Sequence, residues 1–208
     1  IIFSGVLASF WPNDFFIQIN KEDHLVENTQ FSLLLLGTIF SFAISFIFLK
    51  SKVRYEKYLS IFYLIIGLGL LFLAGEEISW GQRIFGIVTP QYLINQNSQG
   101  EINVHNLGIV SRFTNLIYIF IGFYGSVSFL LNKFKEIQNL RFSKYFIIPW
   151  YLSTFFFPIF IYNLLFPPTI SHSLGEWSDM TELLFYGGVF GFIFSNFILL
   201  RNQKRLSI

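Results

Sequence analysis

Five stretches of this chain run for 18 or more residues without one charged side chain, and they limit what it can become. They cover 31–49, 58–75, 113–132, 145–166 and 183–200. A bilayer core of about 30 Å is crossed by roughly 20 helical residues, so each stretch is long enough to span it. None alternates with period two, which disfavours a lipid-facing barrel. In hydrocarbon the backbone must satisfy its own hydrogen bonds, and a helix does so segment by segment. A sixth apolar stretch, 1–11, stops at Pro12-Asn13-Asp14. It reads as a helix cut short where the chain starts; a cleaved signal peptide is the alternative, but no A-x-A-like site follows. The expected fold is all-α, a polytopic transmembrane helical bundle of about six helices, the first truncated, in a single integral membrane domain over 1–208.

Composition agrees. Charged residues are 12% of the 208, against about 25% in soluble domains, too few to cover a water-soluble surface. Intrinsic disorder fails on the same count, since it needs low hydrophobicity and high charge. The net charge of +2 comes without a polybasic tract, so no nucleic-acid partner is expected. With no cysteine, there is no disulfide, thiolate nucleophile or Cys-based metal site.

Lys and Arg in short loops set the orientation. One side carries Lys50, Lys52, Arg54 and Lys57, then Lys133, Lys135, Arg141 and Lys144, then Arg201, Lys204 and Arg205. The other holds only Lys21, Arg83 and Arg112. The positive-inside rule makes the first side cytoplasmic, with both termini there, and places the protein in the cell membrane.

The richest polar chemistry then lies on the outer side. In Gly75-Glu76-Glu77-Ile78-Ser79-Trp80-Gly81-Gln82-Arg83, a continued helix would set Glu76, Trp80 and Arg83 within about 60° of one another, with Phe72 and Gly69 on the same stripe. Two adjacent carboxylates near hydrocarbon are costly unless paired, protonated or bound to a cation. One reading is an interfacial helix end, with Trp80 in the aromatic belt and a Glu–Arg surface ion pair. The other is a site, with Glu76 and Glu77 as acid/base groups or ligands and Arg83 as a clamp for a phosphate or carboxylate. The long connection from 84 to 108 adds Glu101, Asn103, His105 and Asn106. Its alternation from Glu101 to His105 suggests a short extended or re-entrant piece. His105 fits a base, a ligand or a hydrogen-bonded structural residue.

The last outer loop brings His172, Glu176, Asp179 and Glu182. Asp179-Met180-Thr181-Glu182 matches a D-x-x-E capping box. On a helix, Glu176, Asp179 and Glu182 would instead share one side. If that side meets Glu76 and His105, the pocket suits a divalent cation or paired acid and base.

The sequence has no H-E-x-x-H, G-x-S-x-G or Walker loop. GEEISWGQR, followed by N-x-x-x-QGE-x-N-x-HN from Asn95 to Asn106, resembles a group of uncharacterised bacterial multi-pass membrane proteins. That resemblance covers roughly 30 residues, implies an inner-membrane protein and supplies no activity. Glu76-Glu77 also resembles the start of the E-E-x-x-x-R motif of CAAX-protease-like membrane proteins, an intramembrane hydrolase family. Here Arg83 stands six residues after Glu77 rather than four, and neither His105 nor His172 has Phe four residues before it. Only the two glutamates carry over.

Two functions are expected from this pattern. The first is a membrane-embedded hydrolase or transferase acting on a lipid or lipid-linked group, with Glu76, Glu77 and His105 catalytic. Trp80, Gln82, Arg83, Glu101, Asn103, Asn106, Asp179 and Glu182 would then bind. The second is a non-enzymatic binding or assembly subunit whose polar cluster seals a contact. A transporter ranks third, because none of the five spans contains a charge and coupled transporters commonly place ionisable groups there.

The absence of native cysteine makes single-cysteine labelling clean. A cysteine at position 101 is expected to react with a membrane-impermeant maleimide in intact cells, while one at position 52 reacts only after permeabilisation. The reverse pattern would invert the orientation.

Overall fold

In the computed structural model, residues 25–94, 102–104, 107–166 and 175–205 are described. Helix α1 covers Leu25–Leu49, α2 Arg54–Glu77, α3 Gly108–Val127, α4 Trp150–Leu165 and α5 Gly175–Arg205. Short helical turns at Ser79–Gly81, Gln82–Phe85 and Gln91–Ile94 follow α2. Three more, Ser128–Lys133, Lys135–Gln138 and Ser143–Tyr145, join α3 to α4. Every described element is helical. Among the described residues, four segments are long and apolar enough to cross a membrane: Leu25–Leu49, Arg54–Glu77, Val110–Lys133 and Trp177–Gln203. The stretch 1–11 lies outside the described residues.

Three boundaries depart from the sequence reading, each for a local reason. The fourth apolar run becomes a helix only from Trp150, because Pro149 is extended at φ −60°, ψ 147°. Proline also pushes the residue before it out of helical space. The last helix starts at Gly175, so Asp179 and Glu182 lie inside it and the D-x-x-E sequence does not form its N-cap. The span Trp177–Gln203 therefore does contain acidic groups. Finally, α2 ends at Glu77 and the chain turns sharply, so the helical stripe expected to reach Arg83 is broken.

α1 packs on α2 and α3 on α4, and α5 lies between the two hairpins against α1 and α4. Along α2 the buried residues Leu59, Tyr63, Gly67, Leu70 and Ala74 recur every three or four positions, the spacing of one helical face. Its other side exposes Ile61, Leu64, Ile65, Leu68 and Phe72. Such a face is untenable in water and ordinary against lipid.

Lipid tails are as apolar as leucine, so helices in a membrane are joined by close backbone approach and interhelical hydrogen bonds. Both occur here. Ser45 and Ser60 clamp α1 to α2, each hydroxyl donating to the other's carbonyl at 2.8 Å. Asn196 of α5 donates to the Tyr63 hydroxyl at 2.8 Å, and that hydroxyl donates to the Tyr145 carbonyl at 3.3 Å. Glycines let α4 come close to α3. A Cβ on Gly122 would stand 2.9 Å from the backbone nitrogen of Phe160. Because that neighbour is backbone, no side-chain rotation relieves the clash.

Gly122→Ala is accordingly expected to cost about 1–3 kcal/mol through overpacking, read as a lower unfolding temperature of the detergent-purified protein. Gly69→Ala meets nothing within 4 Å and is expected to leave the temperature unchanged or raise it. Equal melting of both variants with the wild type would refute this α3–α4 contact.

Candidate functional site

Beyond α2 the backbone takes three left-handed conformations in a row, at Ser79 (φ 46°), Trp80 (φ 54°) and Gly81 (φ 76°). For Ser and Trp that conformation costs about 1–3 kcal/mol each and persists only where surroundings enforce it. Glu76, 1% exposed, supplies much of the enforcement. Its Oε1 accepts from Trp80 Nε1 at 2.5 Å, and its Oε2 accepts from the Val104 backbone N–H at 2.6 Å. The Trp80 ring folds back over Gly75, where a Cβ would stand 2.8 Å from the indole. It also meets Phe72 edge-on at 5.5 Å.

The returning segment is fastened on both sides of Asn103. Ile102 N–H donates to Gln82 Oε1 at 2.7 Å, and Asn103 Nδ2 to Ser79 Oγ at 3.4 Å. Gln82 uses its amide nitrogen on Thr89 Oγ1 at 2.5 Å. Asn103 is buried and Val104 exposed, in keeping with the alternation of the sequence. Thus Glu76, Trp80, Gln82 and Asn103 are brought together, and what they bind is the chain itself. Glu76 is buried, so it does not lie at the surface of this helix end.

Glu77, about 100° further round the helix, faces the other way. Tyr186 of α5 donates to Glu77 Oε1 at 3.1 Å, and the Tyr186 and Tyr118 hydroxyls are 3.0 Å apart. Glu182, one turn before Tyr186, lies close enough for its charge to bear on the Tyr118 hydroxyl. It also accepts from Ser178 at 3.0 Å. The result is a series Glu77–Tyr186–Tyr118, with Glu182 beside its end, crossing from α2 through α5 to α3. Tyr162 of α4 bonds Ser178 and faces Glu182 and Asp179. Gln30 of α1, buried, donates to the Asp179 carbonyl at 2.8 Å. All five helices send a polar group to this end of the bundle.

The helical spacing of Glu176, Asp179 and Glu182 is met, since α5 contains all three. What that side meets, though, is Glu77 through the tyrosines, rather than Glu76. Glu101, His105, Asn106 and His172 lie outside the described residues. Arg83 belongs to the short helix Gln82–Phe85. Among the described residues no three acidic or histidine side chains converge on a common point that would hold a metal ion. Tyr118, Tyr162, Tyr186 and Gln30 escaped a search for charges and histidines. Their signal was present: tyrosine well inside an apolar span, where its hydroxyl must find a partner.

Replacing Glu76 by Gln puts an amide where one of the two donors needs an acceptor. Leaving that donor unmet costs about 1–3 kcal/mol, and the Val104 amide is expected to exchange hydrogen faster than in the wild type. Unchanged exchange at Val104 would show that Glu76 does not hold the segment.

Comparison with known proteins finds no matching family model, no similar curated protein and no similar solved structure. Only this chain's own geometry bears on what the site does.

Proposed function

We propose that this is a multi-pass protein of the cell membrane whose acidic end faces away from the cytoplasm and acts there as a hydrolase or transferase on a lipid or lipid-linked group. Its cationic loops and the end of α5 would then be cytoplasmic. The observation supporting this reading is the hydrogen-bonded series Glu77–Tyr186–Tyr118 with Glu182 beside its end. Group transfer at an ester or phosphoryl centre needs a base for the attacking hydroxyl and an acid for the leaving group. Two carboxyl groups with bonded hydroxyls between them provide both roles and a route by which the proton returns between turnovers. Glu77 and Glu182 take those roles in this reading, and Tyr186 and Tyr118 orient them. Glu76 becomes a positioning residue, because both its oxygens already hold the turn and the returning segment. His105 as base or ligand and Arg83 as anion clamp belong to the same proposal and rest on sequence alone.

A second reading, a non-enzymatic binding or assembly subunit, draws on a different observation. Glu76, Gln82 and Asn103 are all engaged within the fold, as in a polar cluster whose work is to seal helices together.

The readings part on Glu77→Gln. For the enzyme, membranes of cells expressing the wild type are expected to show a changed lipid profile by mass spectrometry. Glu77→Gln abolishes the change while the folded fraction, measured by gel filtration in detergent, stays nearly constant. A wild-type profile identical to that of cells lacking the protein, or activity falling in proportion to folded protein, would overturn it.

A further inference from the structure

We propose that the cationic end of the bundle, centred on the connection between α3 and α4, is a binding surface for anionic phospholipid. This lies at the end opposite the acidic cluster and does not depend on the enzymatic reading.

The connection is a built surface. Tyr145, Ile147 and Ile148 are buried in the bundle. The Ile148 N–H donates to Ser128 Oγ at 3.2 Å, and the Tyr124 hydroxyl to the Phe146 carbonyl at 3.0 Å. Tyr145 reaches the ends of two further helices, donating to Gln203 Oε1 at 3.1 Å and meeting Phe48 edge-on at 5.2 Å. Held in this way, the connection presents Phe134, Leu140 and Phe142 outward, 55%, 43% and 40% exposed. Lys133, Lys135, Arg141 and Lys144 alternate with them and are exposed as well. The α1–α2 loop at the same end adds the exposed Lys50, Lys52, Arg54 and Lys57. Against these cations, the described residues of the two connections set two acids, Glu56 and Glu136.

The occupant follows from that mixture. Cations alone would suit any polyanion. Exposed Phe and Leu side chains among them suit a ligand that carries hydrocarbon beside its negative charge. An anionic phospholipid has both, its phosphate at the height of the lysines and its acyl chains beside Phe134 and Phe142. Each cation near such a surface is worth about 1 kcal/mol, or roughly fivefold in affinity.

The test is native mass spectrometry of the purified full chain with an equimolar mixture of phosphatidylglycerol and phosphatidylcholine. Bound phosphatidylglycerol is expected to exceed phosphatidylcholine by at least about fivefold, and the excess to shrink with added salt. The variant Lys133→Gln/Lys135→Gln/Arg141→Gln/Lys144→Gln is expected to lower that ratio several-fold, the α1–α2 loop cations keeping what remains. Lys133→Gln/Arg141→Gln, a milder change, is expected to fall between. Arg112→Gln, an exposed cation at the other end, is expected to keep the wild-type ratio. Parity in the wild type would overturn the proposal, as would the full wild-type ratio in both lysine/arginine variants. Full displacement by an equal concentration of inorganic phosphate would also overturn it, marking a free-anion site.

Discussion

A charged group taken out of water must be met by donors that the protein itself supplies, and Glu76 shows how much of this fold turns on that requirement. Its carboxylate is buried at the end of α2 and is met by one donor four residues later and another 28 residues later. The energies are commensurate. Hydrogen bonds to charged groups contribute about 1.5–3 kcal/mol each, while the left-handed Ser79 and Trp80 cost about 1–3 kcal/mol each. Neither half stands without the other: the turn carries Trp80 back to the carboxylate, and the carboxylate holds the turn. The same pairing fixes where the long connection re-enters the bundle.

Adjacent position gives Glu77 a different fate. α2 and α3 belong to separate hairpins with α5 between them, so polar contact across that space needs long side chains, and Tyr186 and Tyr118 provide it. The opposite end repeats the device with Tyr63, Asn196 and Tyr145. Between the two layers α2 and α5 contribute apolar residues such as Leu70 and Ile193. A buried tyrosine with its hydroxyl met adds cohesion that leucine against lipid cannot, because packing between apolar helices gains little over packing against acyl chains. Polar layers at both ends therefore stabilise a bundle that hydrophobic burial alone would leave loosely joined.

The helices were legible because an absence of charge over 18 residues is a coarse, cooperative signal that tertiary context does not override. Their ends were less so. The run 145–166 carries no charge, yet Pro149 divides a turn from a helix, a backbone effect that hydropathy does not register. Asp179 to Glu182 carried a capping pattern inside a helix that starts at Gly175, since a local pattern names a possible cap and not the turn before it. Of the candidate site, Glu76, Trp80, Gln82 and Asn103 were each among the candidates, but their mutual use was hidden. It depends on three consecutive left-handed residues, two of them not glycine. The partners of Glu77 were invisible to a search for charges because tyrosines supply them.

The two ends of the molecule also hold their charges differently, and this bears on what each can do. Lys133, Lys135, Arg141 and Lys144 are exposed on long flexible stems, so their field is broad, additive and open to screening by salt. Glu77 and Glu182 are half-buried and tied to named hydroxyls, so their geometry is fixed to within a hydrogen bond. A diffuse field suits retention of many similar ligands; a fixed pair suits one reacting group at one distance. Between the neighbouring glutamates the same reasoning selects Glu77. Both oxygens of Glu76 are committed to the turn and the returning segment, and a group that leaves its post to move a proton would release both.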